Sequence, residues 1–441
     1  MRHDSEKDKA KALDYHRYPQ PGKTETIPTK PFSTPEDLTL AYSPGVAYPC
    51  MEIADNPEAS YSYTNRGNTV AVISNGTAVL GLGNIGADAA KPVMEGKAML
   101  FKVFAGIDAV DIEIDEKDPK KVIDIVKAIS PSFGGINLED IKAPECFTIE
   151  EGLAGKCGIP IMHDDQHGTA TIVAAAMINA AYIQRKALDS LRLVVNGAGA
   201  AAIACTRLLM QLGIRKENII MCDSKGVIRS EKPGLNPQKR EFAVSTPGII
   251  TLADAVRGAD AFLGLSVADV LTGEMLTTMA PRPIIFALAN PNPEIARDIA
   301  IQARPDLIYA TGRSDYPNQI NNVLGFPYIF RGALDTRAYI INDDMKLAAA
   351  HAIAALARES VPRHIAEIYK NETLEFGPDY ILPKAFDTRL LCRVAPAVAK
   401  AAIESGVSSR TIDDFETYAR QLSDHVRRAD AQLANFISAH A

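Results

Sequence analysis

The sequence lacks the marks of a disulfide-stabilised, zinc-binding, nucleic-acid-binding or membrane-spanning protein. Its 441 residues include six cysteines but no Cys-X-X-Cys pair, which gives no sign of a disulfide framework or structural zinc and favours a reducing cytoplasm. Acidic residues outnumber basic ones by 54 to 47, so no broad phosphate-binding surface is expected. The longest nearly apolar run, 172–183, is shorter than the ~20 residues of a spanning helix, and the N-terminus is charged rather than signal-like.

Short apolar runs alternate with helical patterns along most of the chain. Residues 1–40 are instead predicted to form a polar arm with one short helix, 9–18, of the kind that packs on a partner subunit. Helices are also predicted at 345–358 and, as a pair separated by Gly406, at 394–440. The alternation predicts α/β layers around parallel sheets, with strands at Thr69–Ile73, Ala78–Leu82, Ala109–Ile114, Ile159–Met162, Leu191–Asn196, Ile219–Asp223, Ala261–Leu265, Ile284–Leu288 and Leu307–Ala310.

Two glycine fingerprints follow predicted strands. The stretch Gly197, Ala198, Gly199, Ala200 opens a helix, and the next strand ends at Asp223, where a Rossmann unit has its ribose-binding acid. This context predicts a dinucleotide site, with a tight turn that binds no ligand as the alternative.

The second fingerprint, 81–86, fits the glycine pattern more literally. We expect it not to bind a dinucleotide, because Pro92 is poorly tolerated in the long helix that such a fingerprint requires. Its glycines would instead let the backbone approach a substrate or the nicotinamide.

Two carboxylate pairs, Glu139 with Asp140 and Asp164 with Asp165, lie at the ends of apolar strands. They either sit apart on solvated turns or converge on a divalent cation, for which all-oxygen ligation suits magnesium or manganese. His163 and His167 have zinc-like spacing but lack the glutamate of the HExxH motif. Hydrogen-bonding or packed histidines are therefore preferred to a zinc pair.

Lys97 and Tyr42 are candidates for acid–base chemistry. Beside a metal, a partly buried Lys97 would have a lowered pKa and could act as a base, but on the residues alone a surface lysine is favoured. Tyr42 follows Ala41 and precedes a Pro-Gly turn; it could be a general acid, although packing is the ordinary role of such a residue.

Taken together, these segments resemble the malic enzyme family, specifically its shorter bacterial branch. The resemblance covers roughly 15–406 and is carried by blocks in family order: Ala41–Ala47, Thr77–Lys97, Gly134–Pro144, His163–Ala170, Ala287–Pro293 and Gly325–Leu334. It implies oxidative decarboxylation of (S)-malate to pyruvate and CO2, with reduction of NAD or NADP and a requirement for Mg²⁺ or Mn²⁺.

The resemblance also implies a fold and a set of roles. The fold is α/β with two domains and a helical tail. The first domain, 1–164, includes the arm and binds substrate and metal, and the second, 165–390, is a Rossmann-type doubly wound dinucleotide-binding domain. The C-terminal helices at 391–441 pack back on the first domain. Lys97 would take the C2 hydroxyl proton as hydride leaves, and Tyr42 would protonate C3 after CO2 is lost. The other implied roles are metal binding by Glu139, Asp140 and Asp165, a place beside the metal for Asp164, dinucleotide binding by Gly197, Ala198, Gly199, Ala200 and Asp223, and contacts of Asn290 and Asn322 with nicotinamide or substrate.

Cofactor choice is predicted as NADP over NAD. Asp223 alone would favour NAD, but Ser224 and Lys225 follow it, with Lys239 and Arg240 further on, and these could receive a 2′-phosphate. Larger family members bind a malate carboxylate with an arginine where this chain has Ala78. The sequence therefore leaves open which group binds that carboxylate here. Many relatives continue into a phosphotransacetylase-like domain; the chain ends at Ala441, so regulation through that domain is not expected.

Two other functions are alternatives to malate oxidation. Another Rossmann dehydrogenase would need a different base and no divalent metal. A catalytically silent nucleotide sensor would have no use for both a base and a metal site. The expected partners are malate and a second copy of the chain in a homodimer, with no nucleic acid and no membrane.

Overall fold

The computed structural model describes residues 5–245, 248–370 and 373–424. Within them the chain forms two sheets, one of four strands and one of six. The strands are β1 Thr69–Ser74, β2 Asp108–Glu113, β3 Gly135–Leu138, β4 Ile161–His163, β5 Leu193–Asn196, β6 Ile219–Asp223, β7 Gly226–Val227, β8 Ala261–Gly264, β9 Ile284–Ala287 and β10 Ile308–Thr311.

Helices surround both sheets. Those that precede β5 are α1 Ser5–Arg17, α2 Pro35–Ala41, α3 Ala47–Asp55, α4 Ser60–Tyr63, α5 Ala87–Ala105, α6 Pro119–Ile129, α7 Glu145–Leu153 and α8 Asp164–Gln184. Those that follow it are α9 Ala200–Gln211, α10 Pro237–Glu241, α11 Leu252–Val256, α12 Gly273–Thr277, α13 Arg297–Ala303, α14 Phe326–Asp335, α15 Asp343–Ala357, α16 Arg363–Ile368 and α17 Arg389–Glu404.

The first sheet has the strand order β2-β1-β3-β4 and is parallel throughout. Every residue of β1 is buried, which matches its β-branched, apolar sequence and a sheet covered on both faces. Because β1, β3 and β4 are parallel neighbours, their carboxyl ends meet at one edge. The residues that follow β3 and β4 are therefore neighbours in space.

The second sheet has the order β10-β9-β8-β5-β6-β7. All of its pairs are parallel except β6 with β7. The chain leaves β5 to one side for β6 and later returns to the other side for β8, so β5 and β8 flank the topological switch point at which doubly wound sheets bind ligands. The predicted α/β architecture with a Rossmann-type second domain is confirmed.

Helix α8 is the central helix of the molecule and packs against α9 and α15. It is buried on nearly every face, as expected for a helix that is apolar all round. Helix α17 packs on α14 and α15, and residues 415–424 are helical. Residues 425–440 of the predicted second tail helix lie outside the described residues. No helix among the described residues is long and apolar enough to cross a bilayer.

Two local predictions are wrong. Residues 78–82 form a tight turn rather than a strand, closed by a 2.9 Å hydrogen bond from the Val79 amide to the Gly83 carbonyl. Pro92 lies inside α5, which is a long helix. The proline is tolerated because it lies near the start of the helix, where it deprives only the Asp88 carbonyl of its intrahelical donor. The proline argument against the second fingerprint therefore fails.

Candidate functional site

Five ionisable side chains converge at the carboxyl edge of the first sheet, and we call them the Lys97 centre. Glu139 and Asp140 follow β3, Asp164 and Asp165 begin α8 directly after β4, and Lys97 projects from α5. Four carboxylates thus face one ammonium group. The carboxylates are therefore not separated on solvated turns, which was one of the two arrangements left open by the sequence.

Lys97 is buried, with 7% of its side chain exposed. Its Nζ lies 2.5 Å from Asp164 Oδ2 and 3.0 Å from Glu139 Oε1, and 4.0 Å from the centre of the Phe326 ring. Burial lowers the pKa of Lys97, but the two carboxylates outweigh it and raise that pKa above its ordinary value. The expectation of a surface lysine is wrong, because the buried face of α5 carries Met94, Lys97 and Phe101 at helical spacing.

The carboxylates carry the signature of crowded negative charge. Burial, reinforced by neighbouring carboxylates and opposed by Lys97, raises the pKa of Glu139 well above its ordinary value. Burial and the Asp165 carboxylate raise the pKa of Asp140 to about 7. Burial likewise raises the pKa of Asp164, although Lys97 opposes it. These shifts are those expected of carboxyl groups that are buried first and crowded by like charge second.

The donors fit a divalent cation by their chemistry. They are all oxygen atoms, and Asp140 Oδ2 is buried without a hydrogen-bond partner among the described residues. Asp165 Oδ2 accepts a 2.8 Å hydrogen bond from the Asp140 amide, which ties the two acids together. Across the described ranges, however, no three His, Cys, Asp or Glu side chains are arranged closely enough to hold a metal ion.

Polar residues that the sequence did not single out support this centre. Asn137 donates a 2.8 Å hydrogen bond to Glu139 Oε2. Glu150, from α7, accepts from the His163 amide at 2.9 Å and pairs with His167 Nε2 at 3.0 Å. Lys346 Nζ lies 3.2 Å from the other ring nitrogen of His167. The only signal for Glu150 was an acidic residue on a helix with buried apolar neighbours, which surface helices also show.

Asn322 belongs to the centre, whereas Tyr42 and Asn290 do not touch it. Asn322 donates a hydrogen bond from Nδ2 to Asp164. Tyr42 is 70% exposed, and its hydroxyl makes no hydrogen bond to any described residue. Asn290 is exposed, and its carbonyl oxygen lies 3.4 Å from where a Cβ on Gly81 would be. The second glycine loop thus contacts the Asn290 loop of the other sheet.

The first predicted fingerprint forms the turn between β5 and α9. Gly197 has φ +131°, and a Cβ there would lie 2.3 Å from the Leu265 carbonyl oxygen, so glycine is required. A Cβ on Gly199 would meet nothing within 4 Å, and α9 begins at Ala200 without a side-chain cap. The turn therefore leaves open space beside uncapped helix amides, which suits an anion.

Asp223 ends β6 and is held by two lysines. Its carboxylate accepts from Lys232 Nζ at 2.8 Å and from the Lys225 amide at 2.9 Å, and lies 3.4 Å from Lys239 Nζ. Burial favours a raised pKa, but these donors lower the pKa of Asp223 below its ordinary value. Lys232 was not predicted, because it lies on a loop nine residues beyond the strand.

Two family models match the chain. The model described as the malic enzyme N-terminal domain matches residues 21–154, and the one described as the malic enzyme NAD-binding domain matches residues 166–371. The chain belongs to the malic enzyme family. The predicted family resemblance is therefore confirmed.

Relatives with malic enzyme names cover nearly all of the chain. An NADP-dependent malic enzyme of Escherichia coli is 58% identical over 96% of this chain and 56% of its own length. An NAD-dependent malic enzyme of Rhizobium meliloti is 56% identical over 95% of this chain and 54% of its own length. The chain thus spans about half the length of these two relatives. The crystal structure of a malic enzyme from Pyrococcus horikoshii is similar, with a TM-score of 0.88, 42% identity and 98% of both chains covered.

Proposed function

We propose that the chain catalyses the oxidative decarboxylation of (S)-malate to pyruvate and CO2, with reduction of NADP and with Mg²⁺ or Mn²⁺. The observation that carries this proposal is the buried amine of Lys97 between Asp164 and Glu139, at an edge where further carboxylates crowd. A surface lysine on a solvated turn would have none of these contacts. A silent nucleotide sensor would have no need of this costly burial of charge.

Lys97 is the base in this proposal. Glu139, Asp140 and Asp165 would hold the cation by moving closer together than they lie in this structure. When bound, the cation would polarise the oxygen atoms of the hydroxy acid and stabilise charge on them, and the nicotinamide would be the hydride acceptor. Lys97 must be neutral to accept the proton of the C2 hydroxyl, whereas the carboxylates alone raise its pKa. A cation among those carboxylates would offset their charge and lower that pKa, and Asp164 would hold the ammonium that forms. Asn322 donates to the same oxygen of Asp164, Oδ2, and so orients that carboxylate. Phe326 covers the amine and excludes water.

The dinucleotide is assigned to the turn from Gly197 to Ala200, with Asp223 beside the adenosine ribose. Support for NADP over NAD comes from Lys232 and Lys239, whose charges offset the repulsion between Asp223 and a 2′-phosphate. Ser224 and Lys225 are exposed next to this carboxylate and add donors. Asn290 is assigned to the nicotinamide end.

A homodimer is the proposed assembly. No residue from 6 to 59 is buried, although this segment exposes large apolar side chains, among them Leu13, Tyr15, Phe32, Leu40, Tyr42 and Tyr48. Full burial of an exposed Leu or Phe side chain is favourable by at most about 1.5–3 kcal/mol, and a second copy is the expected cover for several such side chains. Tyr42 lies in this segment, and its role as proton donor to C3 requires the assembly to bring it to a Lys97 centre.

The domain limits and the location are also proposals. We divide the chain at 1–164, 165–390 and 391–441, with the last segment packing back toward the first. In support, Tyr418 donates a 2.6 Å hydrogen bond to Asp335 on α14, and Arg331 of the same helix donates to Asn68 beside the first sheet. The cysteines are free, which supports the reducing cytoplasm.

The test is the absorbance of reduced nicotinamide with malate, comparing NADP with NAD and Mn²⁺ with EDTA, together with a pyruvate assay. We expect metal-dependent reduction with stoichiometric pyruvate. Lys97→Ala should abolish turnover but retain dinucleotide binding. Lys102→Ala is the matched control, because Lys102 is on the same helix but half exposed. Turnover by the Lys97 variant would remove Lys97 as the base, and no reduction by the unchanged chain would remove the proposed reaction.

A further inference from the structure

Arg313 lies where loops of the two sheets meet. It follows β10 by two residues, while Asn290 and Pro291 follow β9, and these strands are parallel neighbours. Arg313 Nη1 lies 3.4 Å from the Pro291 carbonyl oxygen. The preceding carbonyl, that of Asn290, contacts Gly81 in the glycine loop of the first sheet. The same β10 loop continues to Asn322, which reaches the Lys97 centre.

The guanidinium group of Arg313 is held by Asp315 through the edge formed by Nε and Nη2. Asp315 binds Nε at 2.8 Å and Nη2 at 2.7 Å, and the Tyr316 ring lies 5.5 Å from the guanidinium carbon. This arrangement fixes the plane of the group through one edge. At the edge formed by Nη1 and Nη2, the described residues supply one further acceptor, the Pro291 carbonyl oxygen at 3.4 Å from Nη1. Each of these nitrogens carries two N–H groups, so the edge can still donate to a carboxylate.

A dicarboxylate substrate needs such a cation. The Lys97 centre holds four carboxylates, which repel an incoming dianion, and Lys97 itself is engaged by two of them. Ala78 provides no charge. Lys142, which follows β3, is half exposed, and its Nζ lies 3.2 Å from Glu145 Oε1. Arg313 is less exposed, at 24%, and can bind a carboxylate through two hydrogen bonds.

We propose that Arg313 binds the malate carboxylate that is retained in pyruvate; this assignment rests on the proposed function. The chemistry selects that carboxylate over the other one. The departing carboxylate becomes neutral CO2, so a guanidinium bound to it would stabilise the reactant more than the transition state and slow the reaction. A guanidinium on the retained carboxylate carries no such penalty and orients the substrate beside Lys97.

Binding is tested directly, apart from turnover. Tartronate, a hydroxy dicarboxylate, is titrated calorimetrically into the Mn²⁺-loaded chain and into Arg313→Gln, Arg313→Lys and Asp315→Asn. Loss of a charge-assisted pair predicts at least about tenfold weaker binding for Arg313→Gln. Arg313→Lys should lie between, because it keeps the charge but loses the paired geometry. Asp315→Asn should weaken binding less than Arg313→Gln, because the guanidinium is still present.

Several results would overturn the inference. One is equal tartronate affinity of Arg313→Gln and the unchanged chain, and another is no tartronate binding by the unchanged chain. A third is a loss of tartronate affinity in Asp315→Asn as large as in Arg313→Gln, which would mean that Arg313 acts only through its loop. An equal loss of NADPH affinity, measured by NADPH fluorescence, would assign Arg313 to the dinucleotide instead.

Kinetics decides which carboxylate is bound and separates this inference from the proposed function. In Arg313→Gln the KM for malate and the inhibition constant of pyruvate should rise together, by about tenfold or more. A rise for malate alone would place the guanidinium on the departing carboxylate and contradict the proposal. Arg313-dependent tartronate binding without any malate oxidation would instead remove the proposed function and leave Arg313 as an anion-binding residue.

Discussion

Glu150 offers the sharpest test of how the Lys97 centre is held in place. Its carboxylate accepts hydrogen bonds from the His163 amide at 2.9 Å and from Gln166 Nε2 at 3.1 Å, and it pairs with His167 at 3.0 Å. These partners flank Asp164 and Asp165 on both sides. Replacing Glu150 with Gln keeps the volume but removes the charge and turns an NH2 group toward donors.

The expected loss follows from the pKa of the carboxyl group. Burial favours a raised pKa, but His167 and the other donors lower the pKa of Glu150 from 4.5 to about 2. That difference corresponds to about 3 kcal/mol of folding free energy. Loss of one or two hydrogen bonds to a charged acceptor gives a similar figure, about 3 kcal/mol. Because the folded-state pKa is lowered, this stability is present above pH 4.5 and is lost as the pH falls toward about 2.

The assay is urea unfolding followed by circular dichroism. At pH 7, Glu150→Gln should be less stable than the unchanged chain by about 3 kcal/mol, and the difference should shrink as the pH falls below 4.5. Glu151→Gln is the matched control, because Glu151 is the next residue on α7 and is exposed. A Glu150 variant as stable at pH 7 as the Glu151 variant would refute this account of the buried carboxylate.

Two further substitutions address the dinucleotide site. The free energy of unfolding of Gly199→Ala should lie within about 1 kcal/mol of that of the unchanged chain, since nothing lies within 4 Å of the added methyl group. The substitution should nevertheless weaken NADPH binding by about tenfold or more, because the pyrophosphate needs that space. An unaltered NADPH fluorescence titration would favour a turn that binds no ligand. Lys239→Glu should raise the KM for NADP by about tenfold or more, because it removes a charged donor and adds repulsion. The KM for NAD should stay nearly unchanged. An equal rise in KM for both cofactors would place Lys239 away from the 2′-phosphate.

The sequence by itself determined the elements whose signals are local. The strand from Ile219 to Asp223 was predicted at its observed limits, because a buried parallel strand is a continuous apolar run. The turn at Gly197 was predicted for a similar reason: a strand, two glycines and an apolar helix together specify a sharp reversal of the backbone. Pro92 shows the limit of such rules, because tolerance of a proline depends on where the helix begins.

Only the tertiary structure decided which charges meet. Lys97 and Asp164 are 67 residues apart, and they are in contact because β1, β3 and β4 end at one edge and α5 crosses beside them. Apart from the family resemblance, nothing near Lys97 in the sequence marks that contact, and a lysine on an amphipathic helix is ordinarily solvated. The pairing of Asp223 with Lys232 and the position of Arg313 beside Pro291 likewise depend on which loops share a sheet edge. Local propensity predicts the elements, whereas the pKa of each ionisable side chain depends on neighbours that the fold brings from distant parts of the chain.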